Sequence, residues 1–177
     1  MSKTSLIILT LVVVIGGGLA IKLLRSTDQK AITQQGKEEV LSGSTSGIKF
    51  LGDKGENVSL ENREIKLDSS LLADNRARFY NVKMPQGKTI YFFVVKDKNG
   101  VYRAAANACA VCFKTYKGFR QEGNEIVCNN CGNRYPIERI ATEKGGCNPG
   151  PINPNLEVKN GQIIITQSDL EKVLNLF

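Results

Sequence analysis

Apolar residues are arranged in two ways along this chain: one unbroken run, then a long stretch of alternation. From Ser5 to Leu24 the segment "SLIILTLVVVIGGGLAIKLL" carries a single charge, Lys22. About 20 residues at roughly 1.5 Å each cover the ~30 Å hydrocarbon core of a bilayer. With no polar face, residues 1–24 read as an N-terminal transmembrane helix acting as membrane anchor. A signal peptide is the alternative, since Gly18-Leu19-Ala20 offers small residues for cleavage. Residues 25–47, "RSTDQKAITQQGKEEVLSGSTSG", are polar and rich in Ser, Gly and Gln, which predicts a flexible linker. The domain is expected over 48–177.

Beyond the linker, the pattern has the period of strands. "NVSLENREIKL" alternates Val58 and Leu60, then Ile65 and Leu67, and "ARFYNVKM" places Phe79 and Val82 ahead of a turn at Pro85–Gly87. "KTIYFFVVKDKNGVYRAAA" predicts a hairpin with its first strand over Ile90–Val95 and its turn at Asn99-Gly100. Both of those residues accept positive φ. A second hairpin turns at Gly123-Asn124 and sends Glu125–Val127 into Cys128. "LEVKNGQIIITQ" predicts another, turning at Asn160-Gly161. The closing "SDLEKVLNLF" puts Leu170, Val173, Leu174 and Phe177 on one helical face with Ser168 as N-cap, expected to pack on the domain. The fold class is therefore mainly β.

Charge changes this picture little. The net charge is +7, of which residues 1–47 hold +2. The basic residues are scattered and form no recognition helix, so a solvated basic surface is expected and no nucleic acid partner. Lys3 lies before the apolar run and Lys22, Arg25 and Lys30 after it, so the positive-inside rule gives no orientation. A short N-terminal span leading to one domain is read as single-pass, with the domain outside the cytoplasm.

The candidate chemistry is sulfur. "CAVCFKTYKGFRQEGNEIVCNNCG" holds four of the five cysteines, spaced C-x2-C-x15-C-x2-C, and the chain has no histidine. Cys109 and Cys112 follow one predicted strand, and Cys128 and Cys131 follow another. Three uses are open. The thiols form core or disulfides, bind a structural zinc in a ribbon-like site, or ligate an iron–sulfur cluster of two or four irons. Spacing alone does not separate the metals. Cys147 lies in "GGCNP" and is a further metal candidate, as an additional ligand or as a thiol that passes a metal. Lys114, Lys117, Arg120, Arg134, Arg139 and Lys144 stand nearby to temper negative charge, partly offset by Glu122, Glu125, Glu138 and Glu143. Backbone N–H groups over Asn129–Asn133 are expected to donate to sulfur, and Tyr135 or Phe113 to shield one side. Without histidine no Ser/His/Asp set exists, and no phosphate-binding glycine pattern occurs, so the chain is not expected to be an enzyme.

Two resemblances bear on the metal. "GNEIVCNNCGNRYPIERIATEKGGCNPGPI" followed by "VKNGQIIIT" resembles the cluster-binding half of a Rieske-type domain. It departs from that family in having Cys131 where a histidine stands and one extra residue between Cys109 and Cys112. That resemblance implies a Rieske-like antiparallel β domain with a two-loop cysteine site over 109–147. "FFVVKDKNGVYRAAANACAVC", "GFRQEGNEIVCNNCGNRYPI" and "GGCNPGPI", in that order, resemble the FtrD-like family of membrane iron–sulfur proteins. The likeness implies a cluster, two-iron or four-iron, on Cys109, Cys112, Cys128 and Cys131. It also implies an electron-carrier or metal-relay role in an iron-transport system, with membrane redox or metal-transport partners that the sequence does not identify. The alternatives from the residues themselves are a zinc-stabilised interaction module or a thiol-based metal carrier.

Overall fold

The structure, a computed structural model, describes residues 49–177. The predicted anchor over 1–24 and linker over 25–47 lie outside the described residues. Among the described residues no helix is long and apolar enough to cross a membrane.

The alternation of the sequence is realised in a five-stranded sheet. Its strands are β1 (Glu56–Val58), β3 (Arg78–Lys83), β4 (Thr89–Lys96), β5 (Tyr102–Cys109) and β9 (Pro149–Asn153), in the order β1-β3-β4-β5-β9. Two three-stranded sheets accompany it. One orders β10 (Glu157–Lys159), β11 (Gln162–Thr166) and β2 (Glu64–Asp68). The other orders β6 (Phe119–Glu122), β7 (Glu125–Cys128) and β8 (Arg134–Pro136). The chain is thus mainly β. The expectation of antiparallel pairing needs one correction, because β1 runs parallel to β3, with Asn57 opposite Asn81. Asn57 Nδ2 donates to Asn81 Oδ1 across this pair at 2.8 Å.

The central strands are buried on both faces, and side-chain period 2 separates those faces. Ile90, Phe92 and Val94 of β4, with Ala104, Ala106 and Ala108 of β5, enter one core with Ile65, Leu67, Ile163 and Ile165 of the β10-β11-β2 sheet. Phe93, Val95, Ala105 and Cys109 point the other way, into a second core with Phe119, Ile126, Cys128, Ile137 and Ile140. Each buried Val, Leu, Ile or Phe among them contributes roughly 1.5–3 kcal/mol relative to exposure. The second core is the floor on which the cysteine loops rest.

Turns follow the residues, with one difference from expectation. Asn160 (φ 52°) and Gly161 (φ 77°) form the predicted tight turn between paired Lys159 and Gln162. The β4–β5 hairpin does not turn on Asn99-Gly100 as a positive-φ pair; only Gly100 (φ 82°) has positive φ. Asp97 N donates to Val101 O, and Gly100 N to Asp97 O, which makes a three-residue loop ending in a left-handed glycine. The cause is the Asp97 carboxylate. Its Oδ1 accepts from Asn99 N and Val101 N, each at 2.9 Å. Its Oδ2 accepts from Arg103 Nη2 at 3.0 Å.

The terminal helix is shorter than its pattern. α1 spans Gln167–Glu171 and a 3-10 turn follows at Leu174–Leu176. Its N-cap is Thr166, not Ser168: Thr166 Oγ1 accepts from Asp169 N, and the Asp169 side chain accepts in return from Thr166 N. Leu170, Val173 and Leu176 are buried in the first core, so the segment packs on the domain as expected.

Candidate metal centre

Two strand ends deliver the four clustered cysteines. β5 finishes at Cys109 and β7 at Cys128, both within 2% of full burial. The two loops that follow carry Cys112, which is half-buried, and Cys131, which is exposed. Strands β6 and β7 pair Phe119 with Cys128, so the end of the first cysteine loop lies beside the start of the second.

Both loops fold so that backbone N–H groups converge on sulfur. Cys112 N donates to Cys109 Sγ at 3.1 Å, and Val111 N donates to the same sulfur. Cys128 Sγ accepts from the N–H groups of Cys131 and Asn130, and Cys131 Sγ from that of Asn133. The expectation for Asn129–Asn133 thus holds at Asn130, Cys131 and Asn133. Asn130 Nδ2 also reaches across to Cys112 Sγ at 3.4 Å. The second loop is closed by Gly132 N to Cys128 O and by Cys128 N to Asn133 O, both 2.9 Å. Gly132 has φ 76°, a conformation that costs glycine little and other residues more.

A buried asparagine that the sequence reading did not single out ties these loops together. Asn107, in the alanine-rich strand β5, is 0% exposed. Its Oδ1 accepts from Phe119 N at 2.6 Å and its Nδ2 donates to Asp53 O at 2.8 Å. A Cβ on Gly118 would meet Asn107 Oδ1 at 2.5 Å, so only glycine fits there. Asn129 continues the chain of contacts, donating from Nδ2 to Lys117 O at 2.8 Å and from its N–H to Gly118 O at 3.0 Å. One sequence signal existed for Asn107: a lone amide inside "AAANAC".

All five sulfurs meet. Cys109, Cys112 and Cys147 lie mutually within 4.8 Å, as do Cys112, Cys128 and Cys131, so Cys112 is common to both sets. Cys147 also approaches Cys131. Sheet pairing brings Cys147 here, because β9 places Pro149 opposite Cys109. The cysteines are free. Burial pushes the Cys109 thiol up and the Cys128 thiol up to about 11. Cys147 is pushed up to about 12, by desolvation and then by neighbouring Cys131. Cys131 is held below the usual thiol range, first by the Asn133 N–H. Deprotonating such a group together requires a cation to offset the mutual repulsion.

The donor set fits a soft, thiophilic metal group. A single tetrahedral zinc with bonds of about 2.3 Å needs four sulfurs about 3.8 Å from one another. The two triads sharing Cys112, each within 4.8 Å, are compatible with that site and with a group of several metal atoms alike. Behind the sulfurs, among Cys109, Cys112, Phe119 and Cys128, only about 10 Å³ remains. That is at the lower limit for one water, and Cys131 is the exposed cysteine of the group.

Around the site, the arginines are already engaged. Arg134 pairs with Glu122 and Glu125, each at 2.7 Å, Arg120 with Glu122, and Arg139 with Glu143. Among the described residues, no carboxylate pairs with Lys114, Lys117 or Lys144, and all three are exposed. Phe113 packs on the first core and Tyr135 on the second, where it meets Phe119 edge-on with centroids 6.4 Å apart.

The family model "Membrane iron-sulfur containing protein FtrD-like" matches residues 72–177. No curated protein and no solved structure matches the chain.

Proposed function

The chain belongs to the FtrD-like family of membrane iron–sulfur proteins, and from that premise we propose that it is a membrane-anchored carrier holding an iron–sulfur cluster on Cys109, Cys112, Cys128 and Cys131. In this reading it passes electrons or metal between components of an iron-transport system and has no substrate chemistry of its own. Residues 1–24 are its anchor and 25–47 its linker, and the domain over 48–177 works outside the cytoplasm.

One observation carries the proposal: two loops at adjoining strand ends present thiols whose sulfurs already accept converging backbone N–H groups. Such donors disperse the negative charge that four thiolates bring to a metal. Bound there, the cluster supplies a one-electron couple. The chain's own residues do the rest. Cys109 and Cys128, buried at strand ends, fix the inner ligand positions, and Cys112 and Cys131 complete the set. Phe119, Ile126 and Ile137 close the floor against water, and Lys114, Lys117 and Lys144 offset charge at the rim. In this proposal the two loops serve as those of a Rieske-type domain do, with cysteine in the place of histidine.

Anaerobic purification of the full chain in detergent tests the proposal, with absorption, electron paramagnetic resonance, and iron, sulfide and zinc analysis. A brown protein with sulfide and iron, paramagnetic on reduction, is the expected result. A colourless protein with stoichiometric zinc would instead establish the zinc-stabilised interaction module.

A further inference from the structure

The site holds five thiols, while a two-iron or four-iron cluster takes four. The five are unequal. Cys109 and Cys128 are buried at strand ends, and Cys112 belongs to both compact triads. Cys131 and Cys147 complete one triad each. Both sit beside open, left-handed glycines. Cys131 precedes Gly132 (φ 76°), and Cys147 follows Gly145 (φ 93°) and Gly146 (φ 59°). A Cβ added at any of these three glycines meets nothing within 4 Å, so the local backbone is not wedged against neighbours. Two residues after Cys147 the chain is fixed again, with Pro149 in β9 opposite Cys109. Cys147 therefore lies on a short loop held between buried Ala141 and Pro149, and Cys131 lies beside it.

We propose that Cys131 and Cys147 share one ligand position, with Cys109, Cys112 and Cys128 holding the other three. The inference rests on the reading above only in that a metal group occupies the thiols. In the exchange, the metal–sulfur bond to one cysteine breaks as the bond to the other forms. The incoming thiol gives its proton to the departing thiolate. Charge on the site is unchanged, and neither oxidant nor reductant is consumed. The exchange gives the site two faces. With Cys147 bound, Cys131 is released on the exposed side, a free thiol for an incoming metal or partner. With Cys131 bound, Cys147 withdraws to its half-buried position.

Iodoacetamide labelling of the full, metal-loaded chain under anaerobic conditions, with peptide mass spectrometry, tests this without any substitution. A thiolate bound to metal is protected and a released one reacts. The expected result is one label per chain, divided between Cys131 and Cys147, with Cys109, Cys112 and Cys128 protected until a chelator strips the metal. The Cys131→Ser and Cys147→Ser variants should each retain more metal than the double variant, which should lose at least half of the wild-type content. Cys131→Ser should also show an altered paramagnetic spectrum. Label confined to Cys147, or loss of metal in Cys131→Ser alone, would overturn the proposal by showing a fixed set of four. Undiminished metal in the double variant would overturn it equally. The identity of the metal in the wild-type chain decides the function proposed above, whereas label distribution and the single variants decide the shared position.

Discussion

Asn107→Ala removes the tie between β5 and the first cysteine loop, and the structure allows its cost to be worked out. The amide makes two hydrogen bonds, one accepted from Phe119 N in a buried setting and one given to the carbonyl of Asp53. Truncation orphans the buried Phe119 N–H, which costs about 1–3 kcal/mol, and loses a second bond worth about 1 kcal/mol. The expected destabilisation is therefore about 3 kcal/mol, read from urea unfolding of the metal-free chain by far-ultraviolet circular dichroism. The loop carrying Cys112 is loosened at the same time, so metal retained after gel filtration should fall as well. Asn107→Asp gives a sharper comparison. It keeps an acceptor for Phe119 N but turns a carboxylate oxygen toward the Asp53 carbonyl where a donor stood. Burial and that repulsion raise the folded-state pKa of the new carboxyl. The sign follows: the charged form is disfavoured in the fold, so the deficit is largest near neutrality and shrinks as pH falls through the raised pKa. A loss below 1 kcal/mol for Asn107→Ala would refute this reasoning, and so would a deficit for Asn107→Asp that does not change with pH.

Three further outcomes are expected. Cys128→Ser replaces a fully buried thiol with no substitute nearby on its strand end, and should abolish metal content and visible colour; intact colour would remove Cys128 from the ligand set. An all-cysteine cluster should show a couple near the plant-type value of about −400 mV rather than the Rieske range of about −150 to +300 mV. That couple should lack the pH dependence histidine ligands confer, which protein-film voltammetry across pH measures. Asp97→Ala strands the Arg103 guanidinium in its 12% exposed position, and breaking a buried pair costs about 3–5 kcal/mol. Despite desolvation, the hydrogen bonds from Val101, Arg103 and Asn99 hold the Asp97 carboxyl below its usual 3.8. Its contribution is full above that value and lost as pH falls through the depressed one, so thermal melts at pH 7 and pH 3 should differ more in the wild type than in Asp97→Ala.

Much of the fold can be read from alternation, because two buried faces impose period 2 on strands such as β4. The Asn160-Gly161 turn is equally legible, since its two positive φ values belong to those residue types. The β4–β5 turn is not, because the dominant influence is an Asp97 carboxylate whose partner, Arg103, lies beyond the turn itself. The Ser168 cap loses to Thr166 for a similar reason: Thr166 is placed by β11, and Asp169 closes the reciprocal bond. The parallel β1–β3 pair leaves little pattern in a strand as short and exposed as Glu56–Val58. At the site, spacing brings the two C-x2-C pairs into view. The reach of Cys147 depends on β9 pairing with β5, a contact that joins Pro149 to Cys109 across 40 residues of sequence.

β9 has a consequence of another kind. It borders the main sheet, and two of its five residues, Pro149 and Pro151, have no N–H to offer. A sheet margin with complete donors invites strand addition by a neighbouring molecule, and proline suppresses it. Molecules confined to one membrane meet at high local density, where such edge-to-edge growth would be most damaging. The strand that carries Cys147 to its companions is also one on which an aggregate cannot readily be seeded.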